Sequence, residues 1–152
     1  MLALLAALEP GLLGGLMAGI AVVTFAQVVS RYVFDHPLQW SEEVGRFLLV
    51  WLTFIGAGVL VRFRDGHPAV DTLPEALPAL RPLLGTVSQV LVITGCAALA
   101  WGGWRIATLQ WAQTSPSLEI SMGLVYLCLP VGGLLGLFWG LRRLAGRAGA
   151  DE

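Results

Sequence analysis

Lysine is absent from this sequence, and only 12% of its 152 residues are charged. A soluble domain of this size would carry roughly twice that fraction, so a conventional water-facing globular core is excluded. All nine basic residues are arginine, which reads as a coding bias rather than a mechanism. The formal net charge of -1 gives no global field to attract nucleic acid. Cysteine is scarce too: Cys96 and Cys128 both fall inside long apolar runs, where small buried apolar side chains are expected. Two thiols cannot hold zinc or an iron–sulfur cluster without further ligands. Histidine is limited to His36 and His67, each next to a proline in a connecting segment. A bis-histidine haem needs both rings facing one cavity, so no cofactor and no metal is expected. The apolar N-terminus lacks a basic n-region and is too long for a cleaved signal; it reads as part of the mature protein.

What the chain has in abundance is apolar length. Hydrophobic residues make up 57% of it, and its mean hydropathy is +0.78. A spanning helix needs about 20 apolar residues to cross roughly 30 Å of hydrocarbon, and four segments qualify. The first runs from Gly11 to Val29, interrupted only by the polar Thr24 and Gln27; the third is Leu83 to Trp104 and the fourth Ile120 to Leu141. The second has an uncharged stretch of only 15 residues, Phe47 to Val61. Ser41 is a good N-cap residue, with Glu42 and Glu43 then in a first turn where the amide dipoles favour negative charge. Counted from Glu42, the helix reaches about 30 Å at 1.5 Å per residue. Arg46 follows Glu42 by four positions and Glu43 by three, so it can pair with either. The expected fold class is an all-α membrane protein of one transmembrane domain, with helices over approximately 11–33, 42–62, 83–111 and 120–142. The connections are short, apart from an interfacial segment between the second and third spans. There, Leu73 to Leu83 carries Pro74, Pro78 and Pro82, which forbid a regular spanning helix.

The arginines orient the chain. With both termini in the cytoplasm, the inner side holds Arg62, Arg64, Arg81, Arg142, Arg143 and Arg147, and the outer side Arg31, Arg46 and Arg105. Six against three favours that topology. Tyr32, Trp40, Trp104 and Trp111 would then form an outer aromatic belt. Glycines four apart, Gly11, Gly15 and Gly19 in the first helix and Gly132, Gly136 and Gly140 in the fourth, mark faces that a neighbouring backbone can approach closely.

No constellation supports chemistry by this chain alone. A cation–proton exporter needs a carboxylate near the bilayer centre, and the first helix has none, with Glu9 read as preceding it. A carrier of organic anions would want mid-depth cations or paired broken helices; Pro130 with Gly132 and Gly133 reads as a kink without a matching break elsewhere. The Glu42, Glu43 and Arg46 cluster is either a plain helix start or an anchor to another membrane subunit.

The ordered run Gln27, Arg31, Tyr32, Phe34, Pro37, Trp40, Glu42, Glu43 and Arg46 resembles the signature of the DctQ-type small membrane subunit of TRAP (tripartite ATP-independent periplasmic) transporters. Further matches are Val50, Trp51, Leu52, Phe54, Gly56, Arg62, His67, Val70, Asp71 and Leu73. The series closes with Ser115, Pro116, Met122, Tyr126, Leu127, Pro130, Val131 and Gly132. The resemblance covers roughly residues 10 to 140. It implies a non-enzymatic subunit of the bacterial inner membrane, without a substrate site of its own. Such a subunit braces a large multi-helix subunit that takes up organic acids on a sodium gradient, and helps dock a periplasmic binding protein. Trp40, Glu42, Glu43 and Arg46 are then expected at the large-subunit contact. Arg31, Asp35, Gln39, Arg105, Ser117 and Glu119 are expected on the docking surface. The alternatives are an anchor for a quinone- or haem-linked oxidoreductase, which a haem spectrum would reveal, and a small four-helix exporter, which would move substrate in liposomes unaided.

Overall fold

Without water, a long apolar run satisfies its backbone polar groups best as a helix. The computed structural model of the chain follows that constraint, and it describes residues 2–63 and 81–148. Among these residues five helices form: α1 (Leu2–Val33), α2 (Gln39–Leu60), α3 (Arg81–Leu109), α4 (Met122–Tyr126) and α5 (Cys128–Ala148). Among the described residues, four segments are long and apolar enough to cross a membrane: 7–33, 39–60, 83–109 and 122–145. The last joins α4 to α5. Pro130 has no N–H for the carbonyl of Tyr126, so the helix pauses at Leu127. Its bonds resume at once, with Leu127 N donating to Gly123 O at 3.0 Å and Val131 N to Leu127 O at 3.2 Å.

Two local details differ from the expectation. α1 begins at Leu2 rather than near residue 11, and therefore contains Glu9 and Pro10; the leucines and alanines before Glu9 are strong helix formers. α2 begins at Gln39, with Leu38 in the cap position and no side-chain cap. Ser41 is consequently inside the first turn, buried, and its hydroxyl donates back to Leu38 O at 2.6 Å. The proline-rich segment expected at the membrane surface lies outside the described residues except for Arg81, Pro82 and Leu83, which open α3.

Packing arranges the spans as an open row: α1 lies on α2, α2 on α5, and α5 with α4 on α3. Among the described residues, no comparable packing joins α1 to α3. The centre of the row is buried and its ends are not: 44% of the fourth spanning window is buried, against 6% for the third and 0% for the first. The fourth-span glycines explain why α5 can be central. A methyl group added at Gly133 would lie 2.6 Å from Ala100 N and 2.8 Å from Cys96 O of α3. On the other side, one at Gly132 would collide with the carbonyl oxygen of Phe54 in α2. Gly136 meets Cys96 Sγ at 2.6 Å and Gly140 meets Ile93 Cγ1 at 3.1 Å by the same measure. Buried Gln89 completes the seam, its Nε2 donating to Gly140 O at 3.1 Å. The α1 glycines behave differently. Gly19 faces Leu48 at 3.3 Å, but nothing lies within 4 Å of a methyl at Gly11 or Gly15.

Where the chain termini lie, α1 is tied back to the row by a buried ionic latch. Glu9 is 7% exposed. Its Oε2 accepts from Arg62 at 3.0 Å, and its Oε1 from Trp139 Nε1 at 2.7 Å. The Arg62 guanidinium sits 5.0 Å from the Trp139 ring centre and 5.4 Å from that of Phe63, within cation–π range. One carboxylate thus joins α1, the end of α2 and α5. An unpaired charge at this depth would be costly; the pairing and the indole bond make Glu9 tolerable inside an apolar helix.

Two outcomes follow for the purified chain in detergent, each read as thermal stability. Gly132→Val forces α2 and α5 apart and costs roughly 1–3 kcal/mol, the range for overpacking a close contact. Gly15→Val, with the same change in helix propensity but open space around it, leaves the melting temperature nearly unchanged. Arg62→Ala strands the Glu9 carboxylate with one neutral donor and costs roughly 3 kcal/mol, the lower end for breaking a buried pair. Glu9→Gln is milder, because Arg62 can turn to water, and adding it to Arg62→Ala recovers part of the loss.

Candidate functional site

The opposite end of the row, carrying the α1–α2 turn and the α3–α4 link, collects most of the charged residues singled out in the sequence. α1 stops after Val33, and the chain reverses through Asp35, whose φ of 52° is left-handed, a conformation aspartate tolerates. His36 N donates to Ser30 O at 3.0 Å, and the Ser30 hydroxyl donates to His36 O. The turn is thereby closed on the helix it leaves. Gln27 Nε2 reaches Glu42 Oε1 at 3.3 Å, so one of the polar interruptions in the first span joins α1 to the start of α2.

The α3–α4 link is equally well closed at its base. Met122 N donates to Gln113 O at 2.7 Å and Ser115 N to Ile120 O at 2.9 Å. Thr114 and Ser121 form an antiparallel bridge. Ser121 caps α4, accepting from Gly123 N while its hydroxyl donates to Trp111 O at 2.7 Å. Glu119 takes a left-handed φ of 55°, with its N–H donated to Ser115 O. Ser115 is buried, and its hydroxyl has no hydrogen-bond partner among the described residues.

The tip of that link is held from another helix. Glu43 is 5% exposed, and its Oε2 accepts from Ser117 N at 3.1 Å and from Leu118 N at 3.0 Å. The expected pairing within α2 is not made: among the described residues, no ion pair joins Arg46 to Glu42 or Glu43. The four residues grouped by sequence thus separate. Trp40, Glu42 and Arg46 are exposed on α2, whereas Glu43 turns inward and serves its own chain. Arg31, Asp35, Gln39, Arg105, Ser117 and Glu119 are all exposed at this end. So are Tyr32, Trp40, Trp104 and Trp111.

Two apolar grooves lie along the row. One of about 290 Å³ runs between α2 and the fourth span, against Phe47, Trp51 and Leu124. The other, of about 220 Å³, lies beside Leu13, Val59 and the Glu9–Arg62 pair. The lining of the first is apolar, and in the second the carboxylate of Glu9 is already engaged by Arg62 and Trp139. Sequence reading missed the Glu9 latch and the inward turn of Glu43. A carboxylate beside an apolar run, with arginine and tryptophan at the matching depth of other spans, was the available signal for the first.

Known proteins with similar sequences supply the context for this geometry. The family model for the DctQ component of tripartite ATP-independent periplasmic transporters matches residues 20–149. The isethionate TRAP transporter permease protein DctMQ of Oleidesulfovibrio alaskensis is 30% identical over 139 residues, covering 85% of this chain but 22% of that longer protein. The sialic acid TRAP transporter small permease protein SiaQ of Vibrio cholerae is 26% identical over 130 residues, 85% of this chain and 75% of its own length. The C4-dicarboxylate TRAP transporter small permease protein DctQ of the same organism is 31% identical over 99 residues, 64% of this chain and 42% of its own. Four membrane-spanning segments and a family match over residues 20–149 lead to one conclusion. The chain belongs to the DctQ components, the small permease subunits of TRAP transporters, and is a transport component rather than an enzyme.

Proposed function

We propose that this subunit braces a large membrane subunit in the bacterial inner membrane and helps form the outer surface on which a periplasmic binding protein docks, without a substrate site of its own. The observation that carries the reading is the open row. Among the described residues, helices standing one deep enclose no interior through which a solute could pass, while both ends of the row, α1 and α3, leave broad apolar faces uncovered. Lipid alone could cover such faces, but the length of DctMQ supplies a reason to assign a protein to them. That relative is a permease of which this chain matches only 22%, so the remainder of DctMQ has room for a large membrane subunit.

Sodium coupling and uptake of an organic acid are part of the proposal, assigned to that larger partner. The relatives' names include isethionate, sialic acid and C4-dicarboxylates, which differ in size and in acidic group. Similar small subunits therefore serve different solutes, as expected if the choosing residues lie elsewhere. Trp40, Glu42 and Arg46, exposed on one stretch of α2, are assigned to the large-subunit contact. Arg31, Asp35, Gln39, Arg105, Ser117 and Glu119 are assigned to docking, with both termini in the cytoplasm.

Cysteine crosslinking in the complete transporter tests this. Arg105→Cys and Ser117→Cys are expected to capture the binding protein, and Leu144→Cys, at the other end of the row, is not; the reverse pattern would overturn both topology and docking. In the same membranes, combined alanine substitution of Trp40, Glu42 and Arg46 is expected to lower recovery of the large subunit severalfold. Solute flux through liposomes holding this chain alone would sink the brace.

A further inference from the structure

The α3–α4 link closes its own base but not its tip. Pro116 has no N–H to give, and the next two amides, Ser117 and Leu118, donate to Glu43 Oε2, across sequence separations of 74 and 75 residues. Around them, Ser117 and Glu119 are exposed. Two consecutive amides converging on one carboxylate oxygen form a small anion cradle of the kind turns build, and here the anion is supplied by another helix. Glu43 also lies near the start of α2, where helix amides add favourable potential for a negative charge. Its charge is therefore accommodated without Arg46 and without a cation from a partner.

We propose that Glu43 is a positioning residue, fixing the tip of the α3–α4 link in the conformation that the binding protein recognises. The proposal rests on reading that link as part of the docking surface. It replaces an anchoring role for this carboxylate, which is buried against its own chain. A fixed tip presents Ser117 and Glu119 ready for contact, so docking does not have to order the loop. A loose tip would have to be ordered at each encounter, which weakens docking without altering translocation.

The test uses the complete transporter in proteoliposomes, with purified binding protein titrated against the uptake rate. Glu43→Ala is expected to raise the half-saturating binding-protein concentration about tenfold, the scale of one lost charge-assisted hydrogen bond. The maximal rate should stay close to that of the unaltered protein. Glu43→Gln should fall between the two, because both bonds use one oxygen and the glutamine carbonyl can still accept both. Hydrogen exchange at the Ser117 and Leu118 amides should quicken in the same order. Should Glu43→Ala not fold, Glu43→Gln alone must show both the faster exchange and the weaker half-saturation. Unchanged exchange in the variants overturns the positioning role. Faster exchange with unmoved half-saturation leaves the loop chemistry standing and overturns the docking reading beneath it. Loss of the large subunit from the purified Glu43→Gln complex overturns the proposal in favour of an anchor.

Discussion

The contact on which the row depends is the approach of α5 to α2 on one side and to α3 on the other. Lipid tails are as apolar as leucine, so burying apolar surface between helices gains little in a membrane; close packing and interhelical hydrogen bonds hold them together instead. Glycine makes that packing possible here. Gly132 brings α5 against the Phe54 carbonyl, Gly133 brings it against the backbone of α3, and Gln89 donates across the latter seam to Gly140 O. These contacts lie on two sides of one helix, so α5 has a neighbour on each. α1 and α3 are left at the margins, and the result is a row rather than a closed bundle.

Among the described residues two carboxylates are buried, and they divide the remaining work between the ends of that row. Glu9 closes the terminal end, where α1 would otherwise rest on α2 alone; its bond to Trp139 reaches past α2 to α5. Glu43 acts at the other end, where it holds a loop rather than a helix. Both are satisfied by groups of their own chain, arginine and indole in one case and two amides in the other. Neither is left open to a solute. Buried charge in a membrane protein is by default a functional-site hypothesis; here the hydrogen-bond geometry assigns both groups to shaping the subunit.

What the sequence made legible follows from the range of the forces involved. Spanning segments are visible because hydropathy is summed over neighbouring residues, and the fourth-helix glycine face because a spacing of four is local. The start of α1 was not legible, since Glu9 and Pro10 look like a boundary. The groups that make Glu9 acceptable are 53 and 130 positions away. Ser41 looked like a cap because Glu42 and Glu43 follow it, but the helix had already begun at Gln39, and its hydroxyl turned back to Leu38. The Glu42, Glu43 and Arg46 spacing favoured a local pair, yet the two amides that hold Glu43 belong to a loop more than seventy residues on. Spacing along one helix shows which groups can meet; it is silent on competitors brought in by the fold.

A row one helix deep carries a mechanical consequence for a subunit in a moving assembly. In a closed bundle each helix is braced by two neighbours, and a load on one is shared around the ring. In a row, α1 and α3 are braced on one side only, and load passes to α5 and α2 through the glycine seams and the Glu9 latch. Those points combine short interhelical distances with directional bonds, and are stiffer than apolar side-chain contacts that slide. The exposed margins can therefore conform to whatever covers them while the centre holds its shape. Glu43 extends that rigidity beyond the helices, because the tip of the α3–α4 link is tied to α2 and α2 packs on α5. The exposed link is thus referenced to the least deformable part of the subunit, which is what the docking proposed for it would require.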